Sequence, residues 1–178
     1  MARPDTEIDA QIKQAWLELT SMVTELTSAW WEVEHALAML LAALSSMRHV
    51  AADVILGTAT SNRLKRDIVL NVARVILARA ADLKGVEKIL ARMARAASTR
   101  NQFAHAGFGL HHERGRFYLR VLSLDAREQF GLFTYEYFSK KDLENVKNQF
   151  AALRNDTVSL AFVLKKARRR RRIESWKL

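Results

Sequence analysis

The sequence predicts a mainly α-helical protein: an up-and-down bundle of about four major helices, with a β-hairpin or small three-stranded insert before the last one. Three observations carry this. Apolar residues recur at helical spacing through long stretches near both ends of the chain. Six glycines and one proline in 178 residues leave few positions that punctuate a helix. Between about 106 and 138 the period changes from helical to alternating.

The first helix follows Pro4. Thr6 and Asp9 are spaced as a capping pair, which sets its start near Asp5 to Glu7. Ile8, Ile12, Trp16, Leu19, Val23, Leu26, Trp30, Val33, Leu37, Leu40 and Leu44 form a heptad seam, and no helix-breaking residue interrupts Asp5 to His49. The expectation is one long helix buried along that seam. Trp31 lies about 100° off it, beside Glu34, His35, Ala38 and Ala42. An aromatic at that place is expected to pack on a neighbouring helix; the other reading is that this flank meets a second protomer or faces a cleft. Glu34 and His35 lack further metal ligands at helical spacing, so no metal site is expected.

A short helical segment, Val50 to Leu56, precedes the small polar cluster Gly57 to Asn62. The next helix should be capped by Thr60 or Ser61 and run to about Ala81, with Leu64, Ile68, Val72, Val75, Ile76 and Arg79 tracing its faces. Arg63, Lys65, Arg66 and Arg74 make it basic. Asp82-Leu83-Lys84-Gly85 should end it. The third major helix, Val86 to Ala104, would bury Val86, Ile89, Leu90, Met93 and Ala97, with Arg92, Arg95 and Arg100 adding positive charge and Phe103 a core anchor.

Beyond Gly107, the alternation of Phe108, Leu110 and His112, and of Phe117, Leu119 and Val121, around Glu113-Arg114-Gly115 reads as a hairpin. His111 and His112 read as strand surface residues. Thr134 to Phe138 would add a third strand after the irregular stretch Asp125 to Gly131. Ser139 with Asp142 restarts a helix whose apolar positions are Leu143, Val146, Phe150, Leu153, Val158, Leu160, Phe162 and Val163. It should close the bundle against the first helix.

In this reading residues 1–164 form one domain and 165–178 a basic tail. The net charge of +10 points to an anionic partner. Lys165, Lys166, Arg168, Arg169, Arg170, Arg171 and Arg172 crowd seven positive charges into eight residues. Such a block suits nucleic acid, an acidic partner or an anionic membrane, or serves only to keep the chain soluble. Without it the remainder is only mildly basic. Cysteine is absent, which removes disulfides and thiolate chemistry. The N-terminus lacks a signal peptide's apolar core, and Ala36 to Leu44 is too short to span a bilayer, so a cytoplasmic protein is expected, without a membrane partner. No internal repeat, glycine-rich phosphate loop, zinc spacing or Gly-x-Ser-x-Gly elbow is present.

The third helix closes on Arg100-Asn101-Gln102-Phe103-Ala104-His105, followed by Ala106-Gly107. A guanidinium offers a planar fork of donors that fits two phosphate oxygens. An imidazole can both take and return a proton near neutral pH. Five residues turn a helix by about 500°, so Arg100 and His105 would point about 140° apart. Asn101 and His105, four apart, share a face. A second copy, brought in by a two-fold axis, could surround a phosphate with two arginines and two histidines.

These residues resemble the Arg-x(4–6)-His motif of the HEPN superfamily, whose commonest form places Asn directly after Arg. Testing each of the five histidines for an arginine at the permitted spacing finds only this pair. The resemblance implies a metal-independent endoribonuclease needing no cofactor, acting as a homodimer with a composite cleft. In such an enzyme the ribose 2′-hydroxyl attacks the adjacent phosphorus, leaving a 2′,3′-cyclic phosphate and a free 5′-hydroxyl. His105 would be the general base or acid, Arg100 would stabilise the phosphoryl charge, and Asn101 would orient His105 or bind the phosphate. Arg92, Arg95 and the tail cations are the candidate RNA contacts. HEPN ribonucleases often serve as toxins or phage-defence effectors, many beside a nucleotidyltransferase-type antitoxin. The alternative is a catalytically silent HEPN-like bundle that binds RNA or scaffolds a partner. The hairpin insert and arginine run depart from the family pattern.

Overall fold

The computed structural model describes residues 4–122 and 135–174. In order they form α1 (Pro4–Ser45), α2 (His49–Gly57), α3 (Asn62–Ile76), α4 (Ala80–His105), β1 (Gly107–Glu113), β2 (Arg116–Leu122), β3 (Tyr135–Phe138) and α5 (Lys140–Glu174). The protein is mainly helical, and a small antiparallel sheet of order β1-β2-β3 precedes the last helix, as the sequence predicts. Asp125 to Gly131, Thr134 and the side chains of Thr6 and Arg170 to Arg172 lie outside what is described. No helix among the described residues is long and apolar enough to cross a membrane. The chain divides into two compact units, Met1–Ala29 with Ser98–Gln149 and Trp30–Ala97 with Phe150–Leu178.

In the first unit, Ala15, Leu19, Val23 and Leu26 of α1 are buried, as are Phe103 of α4, Leu119 and Val121 of β2, and Leu143 and Val146 of α5. Ile8, Ile12 and Trp16, expected on the buried seam, are instead 56%, 41% and 36% exposed. The reason is where α5 begins. Its first residue, Lys140, pairs with Glu18, so the first turns of α1 run past its start. Lys147 pairs with Glu25 at 2.5 Å, one heptad further along both helices, so α1 and α5 run parallel here. Ser139 caps α5 as expected: its backbone N–H and its hydroxyl both donate to Asp142 Oδ2, at 2.9 and 2.6 Å, and the Asp142 N–H donates back to Ser139 Oγ at 3.2 Å. The β1–β2 turn is tight because Arg114 and Gly115 both take positive φ, 50° and 75°, the backbone that a two-residue hairpin favours.

In the second unit, Trp30, Val33, Leu37, Leu40 and Leu44 of α1 pack with Ala52 and Leu56 of α2, Val69 and Ala73 of α3, the expected face of α4, and Phe150, Leu153, Thr157, Ala161 and Leu164 of α5. Trp30 meets Phe150 edge-on at 5.4 Å and donates to Glu34, whose other oxygen accepts from Lys65 at 2.8 Å. Arg154 pairs with Glu32, so α1 and α5 are parallel in this unit too. Arg92 meets Asp156 at 2.5 Å, and Gly85 lies against Leu160, making α4 antiparallel to α5. The four long helices taken alone therefore do not strictly alternate: α1, α3 and α5 share one direction and α4 takes the other. The cause is α2, which returns the chain to the level of Glu34 and His35, from where α3 sets out alongside α1.

Several boundaries differ from expectation. α1 stops at Ser45 rather than near His49: Ser46 takes φ 63°, and Ser45 Oγ bonds back to Leu41 O at 2.7 Å, so two serines do what a C-terminal glycine usually does. α3 ends at Ile76, after the β-branched pair Val75-Ile76, with Leu77 extended. α4 starts at Ala80 and runs through Gly85 instead of breaking there. A Cβ at Gly85 would sit 3.5 Å from Leu160, so this glycine marks a helix contact and not a stop. Ser61, not Thr60, caps α3, accepting from Leu64 N at 3.1 Å. Leu64, Val75, Ile76, Phe162 and Val163, read as apolar positions on the faces of α3 and α5, are exposed. The inward positions are Val69 and Ala73 on α3, and Thr157, Ala161 and Leu164 on α5, which follow the three-four spacing more closely. Trp31 is 64% exposed and stacks on His35 rather than on a neighbouring helix.

Candidate functional site

Arg100, Asn101 and His105 occupy the last turns of α4 in the first unit, where the chain passes straight into the sheet. Two contacts fix that end. Phe103, 5% exposed, packs edge-on against Phe138 of β3 with ring centroids 5.0 Å apart. Gln102 donates to Glu136 at 3.1 Å. With Phe103 turned inward, Asn101 and His105 face solvent together.

Arg100 is half-buried. Its Nη1 donates to Asn101 Oδ1 at 3.2 Å, and its Nε is shut off from solvent without a hydrogen-bond partner among the described residues. The contact holds the guanidinium beside Asn101, which shares a helix face with His105. An arginine so held keeps most of its donors for an oxyanion, while an exposed imidazole stands nearby on the helix.

The outer face of the sheet adds a second feature. The register sets Gly109 opposite Arg120, His111 opposite Tyr118, and Arg120 opposite Tyr137. Alternation therefore puts His111, Tyr118, Arg120, Tyr135 and Tyr137 on one side, away from the buried Leu119 and Val121. Tyr135 and Tyr137 are 44% and 49% exposed. The His111 ring lies 4.7 Å from Tyr137, and the Arg120 guanidinium covers Tyr135 at 4.8 Å. Gly109 leaves room for that arginine, since a Cβ there would come within 3.0 Å of its Nη2. His112 lies on the other face beside Phe117. This row of rings beside Arg120 was missed in the sequence; the signal was the alternate positions of the predicted strands, read only for their apolar members.

The remaining basic candidates fall in the second unit. Arg92 is held in its ion pair with Asp156, and Arg95 is exposed. Lys165, Lys166 and Arg169 project into solvent from α5, which continues as helix through the arginine run to Glu174. Arg168 is half-buried and donates to the carbonyl of Leu44, satisfying an acceptor at the end of α1. Its role is thus at least partly architectural. Lys165, Arg168 and Arg169 also line a cleft of about 1060 Å³ with Met39, Ala42 and His49.

No family model, curated protein or solved structure matches the chain.

Proposed function

We propose that the chain is a metal-independent endoribonuclease of the HEPN type. The observation that carries this reading is the bond from Arg100 to Asn101, which holds a phosphate-binding fork beside the amide on the face where His105 stands exposed. An arginine and an imidazole can supply the charge stabilisation and proton transfer that in-line attack by a ribose hydroxyl uses, and the amide can position them. One imidazole takes the 2′-hydroxyl proton as the 2′-oxygen bonds to phosphorus. The P–O5′ bond breaks, and a second protonated group returns a proton to the leaving oxygen. The guanidinium holds the negative charge that builds on the phosphoryl oxygens.

One protomer offers a single imidazole at this place, so the reading includes a homodimer in which His105 of each copy serves one of the two proton transfers. The aromatic outer face of the sheet supports RNA as the polymer: exposed rings stack on unpaired bases, and Arg120 adds a cation beside them. Exposed Lys165, Lys166 and Arg169, with the arginines that follow, are further phosphate contacts. A toxin or defence role, paired with an antitoxin of the nucleotidyltransferase class, goes with this proposal.

The test is incubation of purified full chain with mixed RNA in EDTA, beside Arg100→Ala and His105→Ala, with a thermal melt of each protein in the same buffer. Cleavage by wild type alone, with cyclic phosphate ends and DNA left intact, supports the reading. RNA binding without cleavage by a folded wild type would instead identify a silent binding module.

A further inference from the structure

We propose that His35, His49 and Asp53 bind a divalent transition-metal ion of the zinc class. The site lies within the second unit and uses none of the residues assigned to RNA cleavage.

Its construction follows from the turn at Ser46. With α1 ended at Ser45 and Ser46 at φ 63°, α2 lies back along α1, and its first turns meet His35. His49 and Asp53 are four apart on α2 and share a face. The Asp53 carboxylate stands between the two imidazoles: Oδ1 is 3.4 Å from His35 Nδ1, and Oδ2 is 3.4 Å from His49 Nε2. One ligand atom from each of the three residues lies within 4.8 Å of the others.

These spacings are long for N–H···O hydrogen bonds, whose usual range ends near 3.2 Å. Each is close to the separation of two ligands on one tetrahedral zinc, the first through Oδ1 and the second through Oδ2. Zinc–nitrogen and zinc–oxygen bonds of about 2.0–2.1 Å place neighbouring ligand atoms about 3.3 Å apart. A second observation points the same way. His49 Nε2 is shut off from solvent and makes no hydrogen bond among the described residues, an arrangement that buried polar atoms ordinarily avoid. A metal ion would use that lone pair.

The rings are also positioned in advance. Trp31, otherwise an exposed aromatic without purpose, stacks on His35 with 14° between planes. His49 meets His35 edge-on, centroids 4.3 Å apart. Two imidazoles and a carboxylate are the donor set of zinc sites that keep one position open. His49 also borders the 1060 Å³ cleft lined by Met39, Ala42 and Arg168, which gives an entry path.

The test uses the full chain, stripped with EDTA, dialysed, and titrated with zinc chloride by calorimetry and with cobalt chloride by absorption. We expect one equivalent of zinc per chain, a four-coordinate cobalt spectrum and a zinc-dependent rise in Tm. His35→Gln, His49→Gln and Asp53→Asn should lose all three responses while keeping the wild-type circular dichroism, and His112→Gln should keep them. Asp53→Asn preserves side-chain size, which separates loss of a ligand from loss of fold. Absence of saturable binding at one equivalent would overturn the proposal, leaving an ordinary histidine–aspartate cluster. So would binding that survives both His49→Gln and Asp53→Asn.

Discussion

Arg100 Nη1 donates to Asn101 Oδ1 at 3.2 Å, and the buried Nε of the same guanidinium has no acceptor among the described residues. The arginine is thus anchored at one corner, and no acceptor among the described residues takes its other donors. Arg100→Lys keeps the charge and loses the planar fork. On the proposed mechanism RNA cleavage should fall about 10²–10³-fold, the usual loss when an oxyanion donor is removed. Single-turnover rates on a defined RNA, with circular dichroism to confirm folding, check this.

Tyr135 and Tyr137 stand exposed beside Arg120 and His111 on the outer sheet face. If unpaired bases stack there, Tyr137→Ala should weaken single-stranded RNA binding about tenfold, within the ~1–3 kcal/mol typical of a base on an aromatic ring. Duplex RNA, whose bases are not free to stack, should be much less affected. Fluorescence anisotropy with both ligands measures the difference.

The Asp142 carboxyl is held below its usual range, first by the Ser139 hydroxyl and then by the Ser139 backbone N–H. A depressed folded value means the carboxylate form stabilises the native state. That contribution is complete above the unfolded value and disappears as pH falls through the lowered folded one. Asp142→Ala should therefore destabilise the fold at neutral pH, by less than about 1 kcal/mol because the carboxylate is exposed and screened by solvent. The two proteins should converge in acid, as urea melts at a series of pH values will show.

Arg168 donates to the Leu44 carbonyl at the end of α1, whereas Arg169 is exposed. Arg168→Ala should lower stability by about 1.5–3 kcal/mol, the range for hydrogen bonds to charged groups. Arg169→Ala should be nearly neutral. Equal melts for the two variants would mean the carbonyl contact carries no weight.

What could be read from the chain was mostly what is local. Ser139 with Asp142, and Arg114-Gly115 between alternating strands, announce a cap and a turn because neighbours within four residues supply every bond involved. The seam from Leu19 to Leu44 was legible for the same reason. The stop at Ser46 was not, since neither glycine nor proline marks it and its left-handed backbone depends on how α2 settles. That single turn decides which residues meet His35, so His49 and Asp53 could not be joined to it from spacing. On α5, hydrophobicity favoured Phe162 and Val163, while the helical period pointed to Thr157, Ala161 and Leu164; the period proved the better guide. At the candidate site the motif itself was visible, but the contact turning Arg100 toward Asn101 required side-chain geometry.

On the proposed mechanism, groups at the end of α4 break a phosphodiester with no metal's help. The most direct measurement is the end chemistry of RNA treated with the full-length chain in EDTA. Fragments ending in 2′,3′-cyclic phosphate and beginning with 5′-hydroxyl are expected from wild type and should be absent with Arg100→Ala and His105→Ala. Intact RNA after incubation with folded wild type, or the same fragments from both variants, would contradict this mechanism.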